Sequence, residues 1–167
     1  MNKVKSKDKI LLTIISLFLF LSIVVIFIPL ISQSRNNRYF RITSNEQVVN
    51  NVISINDLSL EPGNSKSSKI ELECISSNKY KLTLLFQEKE TGMLKDYLDV
   101  EVYYNNDLIH KDNLNTMFNS DGVSIIDDFY SGSNYEIKII YILPNDIGNE
   151  AQGAKTKFDI EILIEQE

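Results

Sequence analysis

The sequence has one cysteine, one histidine, three prolines and no tryptophan among its 167 residues. A single cysteine allows no internal disulfide and no Cys-x-x-Cys redox motif. A single histidine leaves no His-Glu-x-x-His zinc motif and no His-rich metal centre, and it argues against a Ser/His/Asp triad. Neither the glycine-rich phosphate loop nor the dinucleotide-binding glycine fingerprint is present. The absence of these motifs excludes most of the enzyme classes that a sequence motif can identify.

The two rare residues themselves point to structural roles. Cys74 follows Ile70 and Leu72 at a spacing of two, so it is predicted to be a buried small hydrophobe on the inner face of a strand. Its neighbour Glu73 would not favour a reactive thiolate. His110 lies beside charged residues at the end of a short strand, where a surface histidine is expected. We assign chemistry to neither residue.

Charge is unevenly distributed along the chain. Residues 1–41 contain 7 basic and 1 acidic residue, whereas residues 42–167 contain 10 basic and 22 acidic residues. An acidic domain does not neutralise phosphates, so nucleic acid is not an expected partner. The remaining length, about 130 residues, suffices for one domain with its own core.

A long apolar run, residues 10–31, is the strongest single feature. Of its 22 positions 18 are apolar and none is charged. As a helix it would measure about 33 Å, against a hydrocarbon core of about 30 Å. The sequence therefore predicts an N-terminal transmembrane or signal helix whose partner is membrane lipid.

Two fates for residues 10–31 stay open. An uncleaved anchor is favoured because the run is longer than a signal-peptide core. The only small-x-small site, Ser32-Gln33-Ser34, leaves a signal peptidase as an alternative partner and secretion as the alternative outcome. Four lysines in residues 1–9 favour a cytoplasmic leader, despite three arginines soon after the run. We predict a linker at 32–47 and an extracellular domain at 48–167.

The domain shows short alternating runs of apolar residues. Turn chemistry separates them, as at Pro62-Gly63-Asn64 and Asn105-Asn106-Asp107, and the latter predicts a hairpin. The clearest alternation is predicted at residues 69–75, 80–87, 135–143 and 157–165. Residues 91–97 could form one helical turn, whereas 113–118 and 123–130 receive no assignment. The pattern predicts an all-β antiparallel sandwich of immunoglobulin-like size, without the Cys and Trp pair of antibody domains.

Carboxylates offer the only other candidate chemistry. They cluster in sequence at Asp96, Asp99 and Glu101 and again at Asp127 and Asp128. Such groups serve as general acid and base, or as calcium ligands, when folding brings them around one cavity. A solvated acidic surface is the simpler interpretation of a domain this acidic. We therefore assign no catalytic, cofactor-binding or metal-ligating residue, and predict a protein that is not an enzyme.

Several short motifs, in order along nearly the whole exported region, are similar to the TasA and camelysin family of Gram-positive surface and biofilm matrix proteins. The motifs are Tyr39-Phe40, Ser44-Asn45-Glu46, Asn51-Val52-Ile53, Leu60-Glu61-Pro62-Gly63-Asn64, Leu94, Tyr97-Leu98, Leu143-Pro144, Gly148-Asn149-Glu150-Ala151-Gln152-Gly153, Phe158 and Ile160. This resemblance implies a jelly-roll sandwich, export, and a structural or adhesive role. The family's metallopeptidase label has no zinc motif to match here. The chain also departs from the family at Asn36-Asn37-Arg38, where members present a small residue for cleavage.

The function expected from the sequence is therefore an exported or membrane-anchored surface protein, of the matrix or fibre-subunit type. The alternatives are a surface metallopeptidase-like enzyme and a calcium-binding adhesion module that uses the acidic residues. Self-association by strand exchange is a further expectation, with residues 48–60 as the exchanging segment. Pairing of that segment within its own domain is the competing expectation.

Overall fold

The computed structural model of the chain describes residues 39–90, 92–148, 151 and 153–167. Within them lie ten strands, one 3-10 turn (Met93–Asp96) and one short helix, α1 (Leu114–Phe118). The strands are β1 (Phe40–Ser44), β2 (Gln47–Val49), β3 (Val52–Leu58), β4 (Ser65–Cys74), β5 (Asn78–Glu90), β6 (Asp99–Tyr104), β7 (Asp107–Asn113), β8 (Val123–Phe129), β9 (Asn134–Ile142) and β10 (Thr156–Gln166).

The strands form two five-stranded sheets. The first sheet has the order β1-β4-β9-β6-β7 and the second the order β2-β3-β10-β5-β8. Every pairing is antiparallel. The prediction of an all-β, antiparallel domain is thus confirmed.

Side chains from both sheets meet in one hydrophobic core. Tyr141 of the first sheet packs edge to face on Phe158 of the second, with ring centroids 5.6 Å apart. At the other end of the core, Tyr104 of the first sheet lies 6.4 Å from Phe129 of the second. Aromatic pairs at such separations add to the free energy gained by burial itself.

The alternating runs occupy the faces that the sequence predicts. On β10, Phe158, Ile160, Ile162 and Ile164 are all buried. Strands β4, β5 and β9 follow the same rule, because successive side chains of a strand point to opposite faces. A period of two in the sequence was therefore sufficient to place the core face of these four strands.

The predicted hairpin between β6 and β7 is also confirmed. Asn105 and Asn106 adopt positive φ angles of 48° and 75°. That conformation suits a two-residue hairpin turn, and Asn tolerates it better than most residues. The turn at Gly63 has a φ of 82°, and a Cβ there would meet the Asn145 side chain at 2.0 Å. Both turns place residue types that accept positive φ, Asn and Gly, at positions that have it.

One domain boundary needs correction. The linker predicted at 32–47 contains all of β1 and the first residue of β2, so strand structure starts at Phe40 and not at Val48. The alternation of β1 is weak in the sequence, because Phe40 is its only fully buried apolar side chain. A strand of five residues with one buried apolar group does not stand out from a polar linker.

Two regions left unassigned by the sequence are ordered elements. Residues 113–118 include α1, whose first turn is capped by the Asn113 side chain accepting from the Asn115 amide at 2.9 Å. Residues 123–130 include β8, on which the exposed Ile126 interrupts the alternation of polar and apolar residues. Both elements are short. Which of their side chains are buried depends on the neighbouring elements that pack against them.

Among the residues with described positions, no helix combines the length and hydropathy that crossing a membrane requires. The predicted leader at 1–9, the apolar segment at 10–31 and the linker as far as residue 38 lie outside the described residues. The anchor or signal helix therefore stays a prediction from the sequence.

Candidate functional site

The candidate site is the N-terminal edge of the two sheets, which we define as β1, β2 and the two residues between them, Asn45 and Glu46. Within the described residues, β1 pairs only with β4 at the margin of the first sheet, and β2 pairs only with β3 at the margin of the second. Each sheet thus carries one strand of this edge. The outer side of each strand presents backbone groups with no neighbouring strand in the described part of the chain, a common template for pairing with another chain.

A single aromatic side chain anchors β1 to the core. Phe40 is buried, and its ring lies 5.2 Å from that of Tyr80 and 5.0 Å from that of Phe129. Its neighbour Arg41 points outward and forms a salt bridge with Glu73 on β4. Because both of those charged groups are exposed, this pair contributes little, and burial of Phe40 is the main attachment of β1.

Polar contacts fix the other end of β1. The Asn45 side chain accepts a hydrogen bond from the backbone amide of Lys69 at 2.6 Å and donates one to the carbonyl of Ser67 at 3.3 Å. The Ser44 hydroxyl donates to the carbonyl of Lys69 at 2.7 Å. These contacts continue the ladder of β1 and β4 past the last paired residue. They set the register of β1 against β4.

A groove lies between the two edge strands. Its volume is about 350 Å³, and its walls are formed by Phe40, Arg41, Ile42, Val48, Asn50, Asn51 and Ile75. The β2 strand that borders it has only three residues, and the following turn places Asn50 and Asn51 at positive φ angles. The groove is mixed in polarity and holds no pair of titratable groups suited to acid and base catalysis.

The segment predicted to exchange, residues 48–60, is divided by the structure. Its second part, β3, lies between β2 and β10 and buries Ile53, Ile55 and Leu58 completely. This part pairs within its own domain, which is the expectation that competed with exchange. A strand paired on both sides cannot leave without opening the core. The strands at the margin are instead β1 and β2.

Of the two carboxylates on β6, Glu101 has side-chain partners in the described part of the chain. Asp99 and Glu101 share one face of this strand. Glu101 accepts hydrogen bonds from Lys111 at 2.9 Å and from Tyr103 at 2.8 Å. These two donors stabilise the carboxylate and hold the pKa of Glu101 below its usual value. A glutamate held ionised by a lysine is a poor general acid near neutral pH.

The carboxylates of β8 are placed differently. Asp127 accepts a hydrogen bond from the Tyr104 hydroxyl at 2.8 Å, and burial together with this contact raises the pKa of Tyr104. Asp128 lies opposite Lys79 in the pairing of β5 and β8. Asp96 ends the 3-10 turn and is exposed. Across the described ranges, no three His, Cys, Asp or Glu side chains form a group that could hold a metal ion.

Cys74 lies where the sequence placed it, but His110 lies in the middle of β7 and not at the end of a short surface strand. Cys74 is buried at the end of β4, donates to the carbonyl of Ser76 at 3.3 Å, and has its pKa raised by burial. His110 is half-buried on β7, the margin strand of the first sheet opposite β1. Neither residue borders the groove between β1 and β2.

Sequence patterns alone did not identify the N-terminal edge as a site. Two motifs of the family resemblance, Tyr39-Phe40 and Ser44-Asn45-Glu46, fall on it, and they were the available signal. The closing motif of the resemblance includes Asn149, Glu150 and Gln152, which lie outside the described residues.

Comparison with known proteins gives no family. No protein-family model matches the sequence. No curated protein matches it. Among solved structures, the chain is similar in part to a GH31 α-xylosidase from Xanthomonas citri, with 8% sequence identity and a TM-score of 0.31. The match covers 60% of this chain but only 11% of that enzyme's chain. A likeness this distant assigns neither a family nor an activity to the protein.

Proposed function

We propose that the chain is a non-catalytic cell-surface structural protein, anchored by residues 10–31 or released by their cleavage, whose domain self-associates by exchange of β1. The observation that carries the proposal is the position of β1. It is the first strand among the described residues, pairs within them with β4 alone and buries one large side chain, Phe40. Such a strand can pair with a second copy through the contacts that it makes in its own domain.

The strand order supports a domain that stands without β1 and β2. The inner eight strands are arranged as β3-β10-β5-β8 and β4-β9-β6-β7. We infer a jelly-roll sandwich from this order, because successive strands mostly alternate between the two sheets. β1 and β2 extend each sheet by one strand. When β1 leaves, the jelly roll keeps its core strands and opens the margin of β4.

The connection between β1 and β2 supplies a hinge. Only Asn45 and Glu46 join a strand of the first sheet to a strand of the second. Short hinges between paired elements favour exchange between copies, because extending the hinge carries the strand away from its own domain. In the exchanged form, Phe40 would fill the same aromatic pocket in a neighbour.

Surface location is the other half of the proposal. Residues 10–31 are uncharged and long enough to span a bilayer, and residues 1–9 carry four lysines. The resemblance to TasA and camelysin proteins adds the expectation of a matrix or fibre role. The net negative charge of the domain also favours its solubility before it binds a partner.

The test compares two soluble forms, residues 39–167 and residues 51–167. The shorter form lacks β1 and β2 and keeps β3, so it presents the open margin of β4 but has no strand to donate. We expect the longer form to assemble, as followed by light scattering and electron microscopy. We expect the shorter form to be folded by circular dichroism and unable to assemble alone.

The shorter form also tests whether β1 is the strand that joins the copies. Added in small amounts, it should accept β1 from the longer form and end the growing assembly, so particle length should fall as its share rises. If the longer form stays monomeric at all salt and pH conditions, strand exchange is overturned. Equal assembly by both forms would also overturn it, since β1 would then be dispensable.

A further inference from the structure

The second sheet carries an apolar belt on its outer face, the face turned away from the core. Residues directly opposite each other in an antiparallel sheet share a face. Val49 on β2 pairs with Val52 on β3, and Leu163 on β10 pairs with Thr83 on β5. With one residue more from β5 and one from β8, these residues cross all five strands, and we call them the outer belt: Val49, Val52, Thr83, Leu85, Ile126 and Leu163.

The middle of the outer belt is packed by its own side chains. Val52, Leu85 and Leu163 are half-buried, although none of them belongs to the described residues that pack against the core. Thr83 is buried on this outer face. A Cβ on Gly122 would meet Cδ2 of Leu85 at 2.8 Å and Cγ2 of Thr83 at 3.0 Å, so these two side chains close over the glycine.

The two flanks of the outer belt are open to solvent. Val49 is 56% exposed and Ile126 is 54% exposed. One carboxylate lies within the belt, since Glu161 pairs with Val52 on one side and with Leu85 on the other. An apolar patch that crosses a whole sheet and has a polar rim is typical of an interaction surface.

Charges lie in two columns along neighbouring strands of this face. The outward positions of β5, from Lys79 to Lys89, hold three lysines and no carboxylate. The outward positions of β10, from Asp159 to Glu165, hold three carboxylates and no lysine. Lys157 lies beyond the register shift of β10, and Asp128 on β8 lies opposite Lys79. A basic column therefore runs beside an acidic one.

We propose that the outer face of the second sheet is an interface with a second copy of this chain. A two-fold axis parallel to the strands, between β5 and β10, places each basic column over the acidic column of the partner. The same axis places β8, with Ile126, over the partner's β3, with Val52. The face is thus complementary to itself. This interface goes beyond strand exchange and does not depend on it, because β5 and β10 stay in their own domain.

The charges of this face can change partners at little cost. Lys81 and Glu165 lie 3.8 Å apart, with 35% and 65% of their side chains exposed. Exposed pairs of this kind contribute at most about 1 kcal/mol. Glu161 keeps a partner in its own chain, because it accepts from Gln87 at 2.8 Å. Burial of the outer belt is then the main gain on pairing.

The size of the face predicts a weak dimer. The longest pairing strand of its middle, β10, has 11 residues and measures about 36 Å, and the axes of five strands span about 19 Å. The face therefore covers at most about 700 Å², below the roughly 800 Å² per partner of a standard interface. Single domains should be monomeric in dilute solution and pair as the concentration rises. Copies joined in an assembly would pair more tightly, since many such contacts act together.

The test uses the full chain with strand exchange blocked. A disulfide between Thr43→Cys and Glu71→Cys, in a Cys74→Ser background, holds β1 on its own β4. This locked chain is followed in detergent by analytical ultracentrifugation from dilute to concentrated protein. Leu163→Lys places a charge in the outer belt. Ile140→Lys is the matched control, because it places the same charge at a half-buried outward position of the first sheet.

We expect the locked chain to dimerise at high concentration, Leu163→Lys to weaken dimerisation at least about tenfold, and Ile140→Lys to change it less than about twofold. Each lysine lowers the net negative charge of the domain, so general repulsion cannot explain a loss. Equal dimerisation of the two variants overturns the interface, as would pairing through residues 10–31. A locked chain that is monomeric at every concentration also overturns it.

A charge swap between chains tests the two-fold arrangement and does not depend on the folding of Leu163→Lys. Lys81→Glu and Glu165→Lys each leave charges of one sign at both positions, so each variant alone should dimerise roughly fivefold more weakly. An equal mixture of the two should recover, because each chain then offers the charge that its partner lacks. A mixture that does not recover overturns the interface. Growth of the unlocked chain beyond dimers reports on strand exchange separately, so either proposal can fail without the other.

Discussion

The ring of Phe40 on β1 packs edge to face on the ring of Phe129 on β8, with centroids 5.0 Å apart and planes at 87°. The two residues belong to margin strands of different sheets. The first described strand is therefore attached to the core of the opposite sheet chiefly through this side chain, with Ile42 packing partly against the same core. This contact makes Phe40 the residue whose loss should release β1.

Phe40→Ala tests that attachment. We expect a loss of about 3–5 kcal/mol in the free energy of unfolding, because a buried aromatic ring is replaced by a cavity. Denaturant titration followed by circular dichroism measures the change. Thr43→Ala, at an exposed position of the same strand, is the matched control and should shift stability by less than about 0.5 kcal/mol. A Phe40→Ala protein as stable as the control would show that β1 is held by other contacts.

Cys74→Ser tests the buried thiol. The substitution places a hydroxyl in an apolar site and should cost about 1–3 kcal/mol, towards the low end because the new hydroxyl can still donate to the Ser76 carbonyl. In the native wild-type protein, burial and the raised pKa of Cys74 should make alkylation slow. Rapid reaction of the native thiol with iodoacetamide would contradict the buried position.

Tyr141→Phe tests a buried hydroxyl. Among the described residues, neither the Tyr141 hydroxyl nor the Ser68 hydroxyl makes a hydrogen bond of good geometry. Burial raises the pKa of Tyr141, and the nearby Ser68 hydroxyl lowers it in part. Removing an unsatisfied hydroxyl should be neutral or stabilising, within about 1 kcal/mol. Tyr80→Phe is the control, because the Tyr80 hydroxyl donates to the Ser76 carbonyl at 3.0 Å. Its loss should cost about 0.5–1.5 kcal/mol, since that carbonyl still accepts from Cys74. A larger loss for Tyr141→Phe than for Tyr80→Phe would contradict this assignment.

Glu101→Gln tests the ion pair on β6. Lys111 and Tyr103 lower the pKa of Glu101 in the folded protein. A lowered pKa means that the carboxylate stabilises the fold above the unfolded-state pKa, and that this contribution is lost as the pH falls through the folded-state pKa. Wild type should be more stable than Glu101→Gln at pH 7, and the two should converge in acid. Glu165→Gln, at an exposed position, should show a smaller pH-dependent difference. A constant gap between wild type and Glu101→Gln down to pH 2 would rule out the ion pair as its source.

Much of the fold follows from the sequence, since alternation with a period of two needs no knowledge of the partner strand. The inner faces of β4, β5, β9 and β10 were predicted in this way, and so was the burial of Cys74. The hairpin at Asn105 and Asn106 was predicted from residues that tolerate positive φ.

The N-terminal edge could not be predicted in the same way. Phe40 is buried because Tyr80 and Phe129, which are distant in sequence, form its pocket. The local sequence of β1 does not indicate these distant contacts. For the same reason, the local pattern does not separate the end of β2 from β3 within residues 48–60. Only the strand order shows that β3 is an inner strand and β2 a margin strand.

The most direct measurement of strand exchange uses the pairing of Thr43 on β1 with Glu71 on β4. Both side chains are exposed, so Thr43→Cys and Glu71→Cys can be introduced singly in a Cys74→Ser background. When the two single variants are mixed under assembly conditions and oxidised, we predict a disulfide between the two chains. The double variant, oxidised before assembly, should lock β1 in its own domain and stay monomeric. Absence of the interchain disulfide, together with normal assembly of the locked double variant, would contradict exchange of β1.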